Sequence, residues 1–395
     1  MSAAQRLLLF LVVLGAVAIA LRAVSHRARI PYPVVLAAGG IVVGLFPGHP
    51  NIVSPNLILL AFVPGLVFEA AFTLEVAQLR RVLVPVALLA TLGVVAVVVA
   101  FGAAVHAALG LTLTEGMVLG AVLGPTDPIA VVSVLRAIRA PAAISALLEG
   151  ESLMNDGTGV ALFAALLASL GGGAPSVWDV VIRFAETTGI GIVVGVVWAV
   201  AALLVLRSTT EATVEFLSTV TLAYGSYVTA DLLRGSGIVA VVSAALVIVL
   251  ARQRLHLHGE RLLDFWEVTG FILNALLFLL IGSALPTSGV LAVAGAIAVG
   301  FVLLTAVRVA TVLPIISATD WRARRFSWRA RALLCWGGMR GALSIALALS
   351  LNHLSGVGPA VATLAYGIVV LGLLLQGSTV RLMMRARGLG GRRQH

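Results

Sequence analysis

The sequence has no lysine, a single cysteine (Cys335) and little charge of any kind, with only 11% of its 395 residues charged. A soluble domain carries roughly 25%. The shortage of charge excludes an ordinary water-soluble globular chain. One cysteine excludes an intrachain disulfide or a cysteine metal cluster. The formal net charge of +10 rests on 26 arginines against 16 acidic residues. Such a surplus can mark a nucleic-acid binder, but nearly every arginine falls in a short loop between apolar runs. No nucleic-acid partner is expected, and the surroundings implied are a lipid bilayer.

What the chain has instead is apolar length: 61% of its residues are hydrophobic. Stretches of about 20 apolar residues recur from end to end, each long enough to cross a ~30 Å hydrocarbon core. The alternating segments of about 10 residues that build a membrane β-barrel are not the pattern here. The fold class expected is an all-α polytopic membrane protein with thirteen transmembrane helices. Their spans fall near 6–23, 31–46, 55–73, 82–105, 114–135, 143–170, 180–206, 212–233, 236–250, 265–284, 288–316, 330–351 and 359–380.

The arginines choose an orientation. Arg22, Arg27, Arg80, Arg81, Arg136, Arg139, Arg207, Arg252, Arg254 and the cluster from Arg322 to Arg331 all fall on one set of loops. The alternate loops, such as FPGHPNIVSP and GGGAPS, carry little beyond Arg234. By the positive-inside rule the basic loops and the C-terminus face the cytoplasm, and the N-terminus faces out. The first run, LLLFLVVLGAVAIAL, is read as a retained span, since cleavage there would leave Arg22 and Arg27 on a translocated end. The last span ends close to the final residue, so no appended soluble domain is expected.

Few ionisable residues remain at membrane depth: Glu69, Asp127, Glu149, Glu151, Asp156, Arg183, Glu186, Arg308 and Arg340. Each costs about 2.5–3.5 kcal/mol to insert, so each is a functional candidate. Arg183 and Glu186, at i,i+3 spacing, are expected to pair and only fix packing. Glu69 and Glu149 are also read first as packing charges.

Four polar residues, Glu149, Glu151, Asn155 and Asp156, crowd into eight positions of the segment EGESLMNDGTG. On a helix Ser152 and Asp156 stack at i,i+4, and Glu151 and Asn155 stack in the neighbouring row. Two carboxylates, a hydroxyl and an amide oxygen are hard ligands that suit an alkali or alkaline-earth cation rather than zinc or copper. The preceding span contains GPTDP, residues 124–128. Pro125 and Pro128 lack a backbone N–H and disfavour helix for the residues before them, so the helix is expected to break around Thr126 and Asp127. Carbonyls freed at mid-membrane are tolerated only where they line a cavity or bind something.

The twelfth span offers a second weak point, CWGGMRGALSIA, with glycines around Arg340. Spans four to six and eleven to thirteen then form inverted triplets, each with an interrupted middle helix, the arrangement of a transporter whose site lies between repeats. Asp127 and Arg340 are placed to neutralise the helix ends that such breaks create.

These motifs carry a family likeness. The chain resembles the monovalent cation:proton antiporters of the NhaP and eukaryotic sodium/proton-exchanger branch. The matching stretches are GPTDP, EGESLMND, FILNALLFLLIG, AVRVATVLP and WGGMRGALSIALAL. The resemblance implies an antiporter fold with a core ion-translocation domain at 82–170 and 288–385 and a dimerisation domain at 1–81 and 171–287. It implies exchange of Na⁺, or else Li⁺ or K⁺, for H⁺, a role in pH homeostasis, and assembly as a homodimer in the cell membrane. No cofactor is implied beyond the transported ions.

Carried over by position, Asp156 would bind cation and proton in turn. Ser152, Glu151 and the backbone of Thr126 would help coordinate Na⁺, Asn155 would hold the geometry, and Arg308 would pair with Glu151. Where relatives often have small alanine-type residues after the ND pair, this chain has Gly157 and Gly159, expected to loosen the helix past the site. Adjacent Asn155 and Asp156 offer one titratable carboxylate, which points to electroneutral 1:1 exchange. Two rival readings remain at this stage: a cation channel, and an intramembrane aspartyl protease using Asp127 and Asp156, although the Gly-x-Gly-Asp signature of such proteases is absent.

Overall fold

A computed structural model describes residues 3–28, 30–45, 54–127, 129, 131–132, 135, 141–169, 177–208, 211–252, 259–284, 292–320, 325–351 and 358–386. Among these residues the structure is wholly helical, with fourteen helices and no strand. In chain order they are α1 (Ala3–Ala28), α2 (Tyr32–Gly44), α3 (Pro55–Thr73), α4 (Val76–Leu109), α5 (Leu113–Leu123), α6 (Ala142–Ser169) and α7 (Val177–Arg207). Then follow α8 (Ala212–Leu232), α9 (Gly237–Arg252), α10 (Gly259–Ser283), α11 (Ala294–Asp320), α12 (Trp328–Trp336), α13 (Ala342–Leu351) and α14 (Gly358–Ala386).

Each apolar run read from the sequence has a helix on it; the twelfth is split in two, and of the fifth, 114–135, residues 128, 130, 133 and 134 lie outside the described residues. Among the described residues six helices are long and apolar enough to cross a bilayer: α3, α4, α10, α11, and most of α7 and α14. The eleventh run starts later than expected, at Ala294, and its first residues, 288–291, lie outside the described residues.

Local chemistry sets the ends. Ser54 accepts a hydrogen bond from Leu57 N at 3.1 Å with Pro55 in the first helical position, so α3 starts with its free donors partly satisfied. Thr112 and Glu115 form a reciprocal capping box at the start of α5. Gly110, at φ +72°, stops α4 in the left-handed conformation that only glycine adopts cheaply. Two long helices absorb prolines by widening: α3 has a π turn at Ile58–Phe62 just before Pro64, and α4 has one at Leu89–Gly93 after Pro85.

Packing follows the membrane pattern, in which small residues let backbones approach. Gly102 of α4 lies directly against Gly116 of α5. Elsewhere an aromatic knot joins α3, α8 and α10: Trp266 is fully buried, its ring 4.5 Å from Phe68, and its Nε1–H donates to Thr219 Oγ1 at 3.1 Å. That bond matters because an indole N–H buried without a partner would be costly. Apolar side chains such as Val193, Val197 and Leu204 on α7 point outward, the face a bilayer would cover.

Candidate cation site

The break after α5 is where GPTDP predicts it. The helix ends at Leu123, and Gly124 to Asp127 run without helical hydrogen bonding before helix resumes around Ile129. The second break separates α12 from α13 at residues 337–341. The two breaks touch: Asp127 N–H donates to Met339 C=O at 2.6 Å.

Each break is completed by a charged residue from the other. Arg340 Nε–H donates to Leu123 C=O at 2.7 Å, so a guanidinium sits on the C-terminal, negative end of α5. A second arm of Arg340 donates to Gly338 C=O. The Asp127 carboxylate lies against Gly341, which begins the first turn of α13, and so faces that helix's positive end. One of its oxygens also accepts from Ile129 N–H at 3.0 Å. Arg308 reaches Leu334 C=O at 3.2 Å, adding a cation at the end of α12. No proline makes the second break. Its glycines make it possible by leaving room, since a Cβ on Gly338 would overlap the Arg308 guanidinium and one on Gly341 would overlap Asp127.

α6 faces these breaks with the polar rows read from the sequence, and the rows do different things. Glu151 is buried, and both its oxygens are taken by Arg308, at 2.7 and 3.0 Å. This bidentate pair is the geometry in which a buried ion pair recovers most of its desolvation cost. Glu151 does not line the cavity described below, so it reaches Arg308 but not the group of oxygens around Asp156. Asn155 is also committed. Its Nδ2 donates to Thr126 Oγ1 at 2.8 Å, and its Oδ1 accepts from Thr126 N–H at 3.3 Å. It clamps the extended strand of the break to α6. Ser152 Oγ–H donates to Thr126 C=O, one of the carbonyls freed by the break.

Asp156 differs from all of these. It is only partly buried, and among the described residues it has neither a hydrogen-bond nor an ion-pair partner. It faces a cavity of about 880 Å³ together with Asp127, Thr126 and Ser152. The cavity extends past Glu69, Glu149 and Glu267 to the end of α1, where Arg22 lies 5.1 Å over the ring of Tyr32. Its inner wall is thus acidic and its rim carries a cation.

Glu69 and Glu149, read as packing charges, also line the cavity. Two sequence expectations need correcting. Arg183 and Glu186 are both exposed, and no ion pair joins them among the described residues. Gly157 and Gly159 do not loosen α6, which runs unbroken from Ala142 to Ser169. Gly159 instead receives the ring of Pro125, where a Cβ would collide, and Gly157 sits where a Cβ would come within 2.8 Å of Val239.

Sequence reasoning passed over Glu267, Asn274 and Ser344, all of which line the cavity. Asn274 left a signal, a lone amide in the apolar run FILNALLFLLIG. Ser344 left none, because serines inside apolar helices are common and usually bond their own backbone.

The family model described as "Sodium/hydrogen exchanger, transmembrane" matches residues 12–386. The chain belongs to that family. It is a family of multi-pass membrane transporters, not of enzymes, which removes the aspartyl-protease reading. Similar members include the Na⁺/H⁺ antiporter ApNhaP of Aphanothece halophytica, 33% identical over 374 residues that cover 93% of this chain and 72% of the relative. The Na⁺/H⁺ antiporter NhaP of Pseudomonas aeruginosa is 36% identical over 346 residues, covering 82% of this chain and 79% of that one. Among solved structures, the sodium proton antiporter MjNhaP1 from Methanocaldococcus jannaschii at pH 8 superposes with a TM-score of 0.78. At 20% identity over 98% of this chain and 100% of that one, this likeness establishes the antiporter fold.

Proposed function

We propose that the protein exchanges Na⁺ for H⁺ across a cell membrane, with Asp156 binding the two in alternation. The observation that carries this reading is the contrast at the crossing of the broken helices. Glu151, Asn155, Arg308 and Arg340 are all committed to partners, and Asp127 faces a helix end. Asp156, at the crossing itself, faces the cavity with no hydrogen-bond or ion-pair partner among the described residues. A carboxylate beside a serine oxygen and a freed carbonyl offers a small alkali cation the oxygen ligands it needs. The same carboxylate holds a proton when the cation has left. It cannot hold both at once, and that competition couples the two flows.

Charge counting supports a 1:1 exchange. The crossing holds three carboxylates, Asp127, Glu151 and Asp156, against two guanidiniums, Arg308 and Arg340. Neutralising Asp156 with either H⁺ or Na⁺ balances the cluster, so the loaded carrier moves through the low-dielectric interior with no net charge there in either direction. Alternation then needs one part of the molecule to move against another. In this reading residues 82–170 and 288–385 form the moving core, residues 1–81 and 171–287 form the dimerisation domain, and the chain assembles as a homodimer. All thirteen runs cross the bilayer, with the N-terminus outside and the C-terminus in the cytoplasm, so the cavity opens towards the cytoplasm at Arg22 and His26.

The deciding experiment uses proteoliposomes with an imposed pH gradient, adding Na⁺, Li⁺, K⁺ and Rb⁺ in turn. Na⁺-driven dissipation of the gradient is expected. A Na⁺ equilibrium that moves with clamped voltage at constant ΔpH would overturn the 1:1 stoichiometry.

A further inference from the structure

Among the described residues, five buried polar side-chain atoms have no hydrogen-bond partner, and two of them belong to residues that line the cavity: Ser344 Oγ and Asn274 Oδ1. Ser344 is 1% exposed. Its isolation has a local cause. Many helical Ser and Thr hydroxyls here donate to the carbonyl three or four residues back, as Ser350 does to Leu347 at 2.7 Å and Thr311 to Val307 at 3.0 Å. Ser344 lies in the first turn of α13, just after the break at 337–341, where the chain behind it is not helical. The break that creates the site has therefore also left this hydroxyl without its usual partner.

Its position is specific. Gly341 abuts the Asp127 carboxylate, and Ser344 is three residues further on in the turn closed by Ile345 N–H to Gly341 C=O. Residues three apart share a helix face, so Ser344 is on the face of α13 that looks towards Asp127 and the cavity shared with Asp156. Its oxygen is dry: water-sized contact is excluded there. Bare Na⁺, smaller than water, is a guest that a dry, unpaired oxygen on a residue lining an acidic cavity is suited to take.

We propose that Ser344 supplies a further oxygen to the transported cation and sets the preference among alkali cations. This rests on the antiport reading above and adds a ligand from the second repeat, on α13, to those that α6 and the first break provide. A ligand from each repeat means that the cation itself bridges the two interrupted helices. Occupancy thereby favours their closed arrangement.

The test is Ser344→Ala, with Ser344→Gly as a second hydroxyl-free variant should the first not fold. Both are reconstituted in proteoliposomes and assayed with Na⁺, Li⁺ and K⁺ under a fixed pH gradient. Losing one oxygen ligand is expected to raise half-saturating Na⁺ by about tenfold. The maximal rate should stay within about twofold, and the order or spacing of the three cations should change. Cation-induced thermal stabilisation of the purified protein in detergent should weaken in parallel. Two results would overturn the proposal while leaving antiport intact: unchanged half-saturation for all three cations in an exchanging variant, or a fall in maximal rate alone with cation preference preserved, which is the mark of a purely structural serine. Absence of exchange in the unmodified protein would instead remove the antiport reading itself.

Discussion

The two helix breaks reach the same end by opposite means. The first, at residues 124–127, works by subtraction: Pro125 has no amide hydrogen to give, and its ring is seated on Gly159 of α6. The second, at residues 337–341, contains no proline and works by vacancy: Gly338 leaves room for Arg308 and Gly341 for Asp127. A proline break is written into the backbone, whereas a glycine break exists only because another side chain fills the space. The first break should therefore tolerate substitution and the second should not. Neither is complete alone, since Arg340 covers the end of α5 and Asp127 faces the start of α13.

Beside the two breaks Asp156 faces the cavity, and removing its charge should produce the largest effect. Asp156→Asn should abolish cation-dependent proton flux in proteoliposomes while leaving the thermal unfolding profile close to that of the parent. Substantial remaining flux would mean the breaks serve some other group.

Next comes the glycine break itself. Gly338→Ala places a methyl on the Arg308 guanidinium, which Glu151 and Leu334 hold from the other side. Displacing Arg308 strands a buried carboxylate, so the loss should be about 3–5 kcal/mol. Thermal unfolding in detergent followed by size-exclusion chromatography reads it. A variant as stable as the parent would show that Arg308 has room to move, contrary to the vacancy argument.

The pair beneath that break gives a smaller but sharper measurement. Arg308→Ala and Glu151→Gln should each destabilise, and the double variant should lose less than the sum, with a coupling of about 0.5–3 kcal/mol. Strict additivity would separate the two residues in the functioning protein. The smallest effect is expected at the proline break. Pro125→Ala restores an amide and removes ring contacts with Gly159, so stability should fall by about 1 kcal/mol and exchange should persist. If this variant lost as much as Gly338→Ala, the contrast between the two kinds of break would collapse.

The residues missed in the sequence follow the same division. Asp156 stood out because a carboxylate in the middle of an apolar run is costly wherever the helix points. Glu69 and Glu149 were noticed on the same ground, but their place on the cavity wall was not visible, because it depends on α3 and α6 meeting across space. Ser344 was invisible for a stronger reason: only the absence of a partner distinguishes it, and that can be read only when every neighbour is placed.

Period and composition alone determined the membrane-spanning helices, their number of apolar runs and the break at GPTDP, because hydrophobic length and the missing proline N–H act locally along the chain. They also determined that Ser152 and Asp156 share one row of α6 and Glu151 and Asn155 the next, since helical spacing is a property of the backbone. Tertiary structure decided which row is committed to partners and which faces the cavity. Arg308 comes from α11, more than 150 positions away, and takes both carboxylate oxygens of Glu151. Thr126 arrives from the preceding break and occupies Asn155. What remains of the two rows' carboxylates is Asp156 on the cavity, because interactions between distant segments satisfy Glu151 and Asn155 and leave Asp156 without a hydrogen-bond or ion-pair partner among the described residues.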